Sequence, residues 1–157
     1  MTGPVLLALI TVLYAGYNLL VKVSGTAVPA TATTTIIATI CLQIAALATS
    51  LAFAAALHAR GGEVFTLSGM ALFWAVLAGL CIGGAEIAYF YLFGGLGSSE
   101  PMSANTAIPI VVSGTIIIAI AVSHFIFREV LTWSQLIGAA CVVFGILLIF
   151  FGREGTV

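Results

Sequence analysis

One acidic residue stands out as able to do chemistry, because it lies inside a long apolar run. The run extends from about residue 70 to 94, and Glu86 lies within about one helical turn of its middle. A helix of that length is roughly long enough to cross a bilayer, which would place the carboxyl group in hydrocarbon. Charges there are costly and therefore rare, and they face the protein interior or water. Glu86 is the first candidate for a functional residue.

Small and aromatic residues surround Glu86 along the same run. Tyr89 follows it by three residues and shares its helical face. An aromatic ring beside a buried carboxylate suits an organic cation or an aromatic solute, although an ordinary packing role explains Tyr89 equally well. The preceding glycines, Gly79, Gly83 and Gly84, permit close approach of another backbone.

Two earlier runs carry polar side chains at helical spacing. Tyr14 and Asn18 are four residues apart in the first run and therefore share a face. Lys22, at the end of that run, either extends to the lipid headgroups, which is the favoured interpretation, or pairs with a carboxylate. In the second run the amide of Gln43 needs hydrogen-bond partners near mid-depth, so it either joins helices or contacts a solute.

A proline interrupts the fourth run. Pro109 removes a backbone hydrogen bond and displaces the carbonyl of Asn105, which predicts a kink. Interrupted membrane helices often mark binding sites, so Asn105 and Pro109 form the second candidate site. A kink that serves packing alone explains the pattern equally well.

The composition sets the class of protein. Of the 157 residues, 62% are hydrophobic and 6% are charged, and a soluble domain of this length could not hide so much apolar surface. Four basic residues cannot form a nucleic-acid surface. The sequence contains no zinc-ligand spacing, phosphate loop or nucleophile–base constellation, so we expect no metal, no cofactor and no enzymatic activity. We predict an all-α, multi-pass integral membrane protein.

Five apolar runs divide the chain, and we predict a single transmembrane domain over residues 1–157. Val5 to Leu13 resembles the core of a signal peptide, but no Lys or Arg precedes it, so we expect a retained first span. The five predicted helical spans cover approximately residues 4–21, 33–57, 70–94, 102–127 and 133–151.

The basic residues are balanced across the membrane. Five spans place Arg60 and Arg128 on the side of the N-terminus, and Lys22 and Arg153 on the other. Either so few charges make the comparison noisy, or the chain inserts in both directions and forms an antiparallel homodimer. The second hypothesis is favoured because five spans with one polar face cannot easily enclose a solute path, whereas two inverted copies can.

The residues from Pro109 to Gly145 follow a recognisable order. A penultimate helix ends in the step Arg128-Glu129, a short amphipathic link follows, and the final helix contains Gly138. This pattern resembles the last two spans of an EamA-like domain of the drug/metabolite transporter superfamily, whose whole length is about five spans. Larger members look like two such domains fused with inverted topology, so this chain would be one half that an inverted second copy completes.

The resemblance implies secondary transport of small metabolites or drugs through a central cavity. It also implies a structural role for Glu129, which matches the family's helix-end glutamate. Glu86 matches no family-wide motif, so its role is argued from physical chemistry alone. Because burial disfavours the charged form of a carboxyl group, Glu86 is a candidate proton carrier.

We therefore expect a proton-coupled transporter, with export favoured, in the cytoplasmic membrane of a prokaryote. Its partners would be the bilayer, a small-molecule substrate, protons and a second copy. Two alternatives stay open: an uncoupled facilitator in which Glu86 is structural and bonds Lys22, or a non-transporting subunit of a larger complex. The predicted substrate- and proton-binding residues are Glu86, Tyr14, Asn18, Gln43, Tyr89, Asn105 and Pro109.

Overall fold

Each predicted span corresponds to one α-helix, although the fourth, predicted over residues 102–127, is longer than its helix, Ala104–Phe125. The computed structural model describes residues 3–29, 31–61, 66–96 and 101–152, and these ranges contain helices but no strand. The all-α prediction is thus confirmed for the described residues. The helices are α1 (Gly3–Ala27), α2 (Ala32–Arg60), α3 (Gly69–Gly94), α4 (Ala104–Phe125) and α5 (Trp133–Phe151).

Four of the helices, α1 to α4, are long and apolar enough to cross a membrane, whereas the apolar stretch found within α5, Trp133–Ile149, is shorter. Some helices also exceed their predicted bounds: α1 continues to Ala27 rather than stopping near residue 21. With 29 residues, α2 measures about 43 Å, against about 30 Å for the hydrocarbon core of a bilayer. A helix of that length tilts or extends into the headgroup region.

The helix ends follow from local sequence, because the first N–H groups of a helix need acceptors from outside it. The side chain of Thr31 accepts from the backbone at the start of α2, and Ser68 does the same for α3. Thr132 and Gln135 form a reciprocal capping box at the start of α5. At the end of α3, Gly95 adopts a left-handed conformation with φ of 74°.

The helices group into two compact units, Met1–Pro101 and Met102–Val157. In the first unit, α1 and α2 both pack against α3, and in the second unit α4 packs against α5. The expectation of a single transmembrane domain stays a prediction.

Several polar side chains are buried, while many large apolar side chains are exposed. Thr35, Thr39 and Glu86 are at most 3% exposed, whereas Leu7 and Leu80 are more than 60% exposed. Exposure of such an apolar surface to water costs roughly 25 cal/mol of free energy per Å², whereas contact with hydrocarbon does not carry this cost. Polar groups have no partners in lipid and must be satisfied inside the protein. The distribution supports a multi-pass membrane protein.

Candidate functional site

Glu86 lies in the interface between α3 and α1. The Tyr17 hydroxyl donates a hydrogen bond to its Oε1 atom, and only 3% of the Glu86 surface is exposed. The second oxygen, Oε2, is also buried and accepts no hydrogen bond from any residue that the structure describes. An unsatisfied buried polar atom costs about 1–3 kcal/mol, so stability alone does not account for an acid at this position.

Helical spacing builds the packing around this carboxyl group. Glu86, Phe90 and Phe93 are four and three residues apart, so they lie on one face of α3, and all three are buried. Val21 and Gly25 are buried on α1. A Cβ atom on Gly25 would lie 2.9 Å from the Cβ of Phe93, so only glycine permits this helix approach. The approach fixes the distance between α1 and α3.

Two contacts along this interface show that α1 and α3 run in the same direction. Tyr17 meets Glu86 at one level, and Gly25 meets Phe93 at another. Gly25 follows Tyr17 by eight residues, or about 12 Å, while Phe93 follows Glu86 by seven, or about 10.5 Å. The register is therefore nearly constant between the two contacts. Parallel directions are expected for the first and third spans of a polytopic protein.

Asn18 and Tyr14 have different environments although they share a face of α1. Asn18 is 6% exposed, and its side-chain amide donates to the Tyr14 carbonyl at 2.8 Å. Tyr14 is 59% exposed, with its ring edge-on to that of Tyr17 at a centroid distance of 6.2 Å. Leu13, Tyr14 and Tyr17 line an open groove of about 230 Å³. Asn18 is thus satisfied by its own helix, while Tyr14 belongs to the groove.

Gln43 contacts α3 from α2, whereas Tyr89 is part of α3 and contacts a neighbouring residue of the same helix. The side chain of Gln43 is exposed overall, and its Nε2 atom lies 3.3 Å from the position that a Cβ on Gly83 would occupy. Gly83 therefore makes room for Gln43 where α2 packs on α3. Tyr89 is half-buried, and its ring centroid lies 5.4 Å from that of Phe93. Both residues have packing roles, and their contact with a solute stays a prediction.

Lys22 makes a ring contact with α3. Its ammonium nitrogen lies 5.3 Å from the centroid of the Phe93 ring, within the range of a cation–π interaction. Phe93 lies about 10.5 Å along α3 from Glu86, so this contact is at a different level from the carboxyl group. The structure thus gives Lys22 a partner that the sequence analysis did not propose.

Asn105 and Pro109 belong to the second unit. Asn105 is exposed, with its Oδ1 atom 3.5 Å from the Thr106 hydroxyl oxygen, and Pro109 is half-buried inside α4. Glu86 belongs to the first unit, so a cavity shared by these residues stays a prediction.

The link after α4 folds back onto the helix end. The Ser123 hydroxyl donates to the Glu129 carboxylate, and the Glu129 N–H donates to the Ser123 carbonyl at 3.1 Å. Arg128 between them has a positive φ of 58°. Glu129 therefore closes the end of α4.

A larger groove, of about 910 Å³, lies beside this link in the second unit. Its lining is mostly aliphatic, with only a few polar side chains such as His124 and Arg128. Such a lining is typical of a lipid-facing surface. The candidate site is therefore placed by the buried carboxyl group and not by this larger groove.

Tyr17 was not among the predicted site residues, yet it bonds to Glu86. The polar stripe through Tyr14 and Asn18 drew attention to residues four apart, whereas Tyr17 follows Tyr14 by three. A polar aromatic residue three positions after Tyr14 could have been included as a candidate. The sequence around Tyr17 does not show, however, that it contacts Glu86 on another helix. Among the residues that the structure describes, no group of His, Cys, Asp and Glu is arranged to hold a metal ion.

Comparison of the chain with protein-family models, with curated proteins and with solved structures found no match. The likeness to EamA-like domains thus rests on the sequence pattern between Pro109 and Gly145.

Proposed function

We propose that this protein is a proton-coupled secondary transporter of small metabolites or drugs, with Glu86 as the proton carrier. One observation carries the proposal: a buried carboxyl group has one oxygen held by Tyr17 and the other without a partner among the described residues. Burial favours the neutral form of such a group, and access to water or to a donor favours the charged form. A change of environment during transport would therefore load and release a proton.

Coupling follows if proton and substrate use the same carboxyl group. A substrate that offers an N–H or O–H donor to this carboxyl group stabilises the carboxylate and so favours release of the proton. Tyr17 bonds directly to Glu86, and phenols stay protonated near neutral pH. Glu86 is then the group that exchanges protons. An inward proton gradient across a prokaryotic cytoplasmic membrane would drive export.

We also propose that an inverted second copy completes the solute path. The balance of basic residues supports insertion in both directions: Arg60 and Arg128 oppose Lys22 and Arg153, of which Arg153 lies outside the described residues. A partner would also cover exposed polar side chains such as Gln43. Two inverted copies are the arrangement that alternating access commonly uses.

Reconstitution of the purified chain tests this function. Liposomes loaded with a panel of organic cations and amino acids are given a pH gradient, and flux is measured with and without a protonophore. We expect gradient-dependent flux of at least one solute, abolished by the protonophore. Flux that is the same with and without the protonophore would indicate an uncoupled facilitator. A lack of flux for every solute, restored by a second polypeptide, would indicate a non-transporting subunit.

A further inference from the structure

We propose that Tyr17 is the gating and positioning residue of this site: it holds Glu86 occluded, and its side chain must turn away before the carboxyl group exchanges a proton or binds a solute. The role in transport rests on the proposed function. The occlusion itself is a property of the fold and is testable without any substrate.

A gradient of exposure places Tyr17 between the carboxyl group and the surface. Glu86 is buried, Tyr17 is half-buried and Tyr14 is exposed. The Tyr17 side chain lines the open groove with Leu13 and Tyr14, while its hydroxyl bonds to Oε1 of Glu86. An approach to Oε1 from this groove therefore meets Tyr17 first.

The gate can open without separating the helices. The close approach of Gly25 to Phe93 lies about 10 Å further along the interface, and it does not involve the Tyr17 side chain. Rotation of one aromatic side chain would therefore free Oε1 while α1 and α3 stay packed. Such a rotation is a small local change, in contrast to the rearrangement of whole spans.

The hydrogen bond from Tyr17 also determines which solutes can take the place of the phenol as a donor to Glu86. The phenol acts as a donor to Oε1, and once it leaves, both carboxyl oxygens need donors if the group is charged. A solute with N–H or O–H donors satisfies that need, whereas a solute with acceptors alone leaves the carboxylate unsatisfied. The gate therefore favours donor-bearing solutes.

Carbodiimide labelling of Glu86 measures the occlusion directly. Dicyclohexylcarbodiimide is apolar and adds to protonated carboxyl groups: the carboxyl oxygen bonds to the central carbon, its proton passes to nitrogen, and an acyl shift yields a stable N-acylurea. The purified protein in detergent is labelled for increasing times, and modification of the Glu86 peptide is followed by mass spectrometry. Helical content and elution volume confirm that each variant is folded.

We expect the labelling rate to rise from wild type to Tyr17→Phe, which keeps the ring but loses the hydroxyl, and again to Tyr17→Ala. If the open state is populated to about 10% or less, removing the gate raises the rate by at least about ten-fold. Leu13→Ala, which shortens another side chain of the same groove and leaves the hydroxyl of Tyr17 in place, is the matched control and should label at the wild-type rate. Glu86→Gln should not label at this position.

Two results would overturn the gate. Equal rates in wild type and Tyr17→Phe would show that the hydroxyl does not hold Glu86, and this comparison remains available if Tyr17→Ala does not fold. A Leu13→Ala rate equal to that of Tyr17→Ala would show general loosening of the groove. Because labelling requires no solute, a protein that transports nothing still reports on the gate, so the two proposals can fail separately.

Discussion

The Tyr17 hydroxyl donates a hydrogen bond to Oε1 of Glu86 across the interface of two parallel helices, between residues 69 positions apart in the sequence. Each helix alone would place a polar group in hydrocarbon, where it lacks partners. Together they satisfy one oxygen of the carboxyl group and leave the other, Oε2, without a partner in the described part of the chain. This half-satisfied acid is the basis of the proposed function.

Replacing Glu86 with glutamine should abolish pH-driven flux in liposomes while the protein stays folded. The amide has nearly the same shape and can accept the Tyr17 hydrogen bond, but it cannot carry a proton. Flux and helical content are measured on the same preparation.

Glu129→Gln is the matched control for that change. Glu129 is exposed and accepts from the Ser123 hydroxyl, which an amide oxygen can still do. This variant should keep wild-type flux. Undiminished proton-coupled flux in Glu86→Gln would remove Glu86 from the mechanism.

Adding one methyl group at Gly25 should destabilise the first unit. The new Cβ would lie 2.9 Å from the Cβ of Phe93, an atom next to the backbone that cannot rotate away. Overpacking of this kind costs about 1–3 kcal/mol, which a lowered thermal midpoint in detergent would reveal.

Gly16→Ala on the same helix is the comparison for Gly25→Ala. A Cβ there would meet no described atom within 4 Å, and alanine is favoured over glycine in a helix by about 1 kcal/mol. We expect an unchanged or raised midpoint. Equal losses in both variants would contradict the close approach of α1 and α3.

Thr39→Val should leave both transport and stability nearly unchanged. Although Thr39 is buried, its hydroxyl donates to the Thr35 carbonyl of its own helix at 3.0 Å. The carbonyl keeps its backbone role when the hydroxyl is lost, so we expect a change within about 1 kcal/mol. A large loss of flux at normal stability would instead place Thr39 in the solute path.

A cysteine at Thr156, a position outside the described residues, should be labelled from both sides of the membrane if the chain inserts in both directions. The native cysteines, Cys41, Cys81 and Cys141, are free and exposed, so they are replaced first. Membrane-impermeant maleimide is applied to sealed cells and to inverted vesicles. Strictly one-sided labelling would rule out dual insertion and with it the antiparallel dimer.

The five helices were predictable because local physics sets them. Continuous apolar runs of 17 to 25 or so residues have no stable alternative to a helix in lipid, where every backbone group must be satisfied within its own segment. Helix ends were harder to predict. The helix α1 continues through Lys22 and Ser24 and ends at Ala27. The burial of Glu86 could also be foreseen, since a charge at mid-span avoids lipid.

The partner of Glu86 could not be foreseen. Tyr14, Tyr17 and Asn18 all lie on one turn of α1, and each is a plausible partner when only spacing is known. The choice depends on how α1 is rotated against α3, and the approach of Gly25 to Phe93 fixes their spacing at one level. Residues far apart in sequence decide that packing.

The sequence by itself thus determined a helical membrane protein with an acid in its third span, because hydrophobic length and the cost of a charge are properties of single segments. The tertiary structure alone decided that Tyr17 holds one carboxyl oxygen and that Asn18 bonds its own helix instead. Hydrogen bonds between helices require a specific rotation and register, and only close packing of side chains from both helices supplies these.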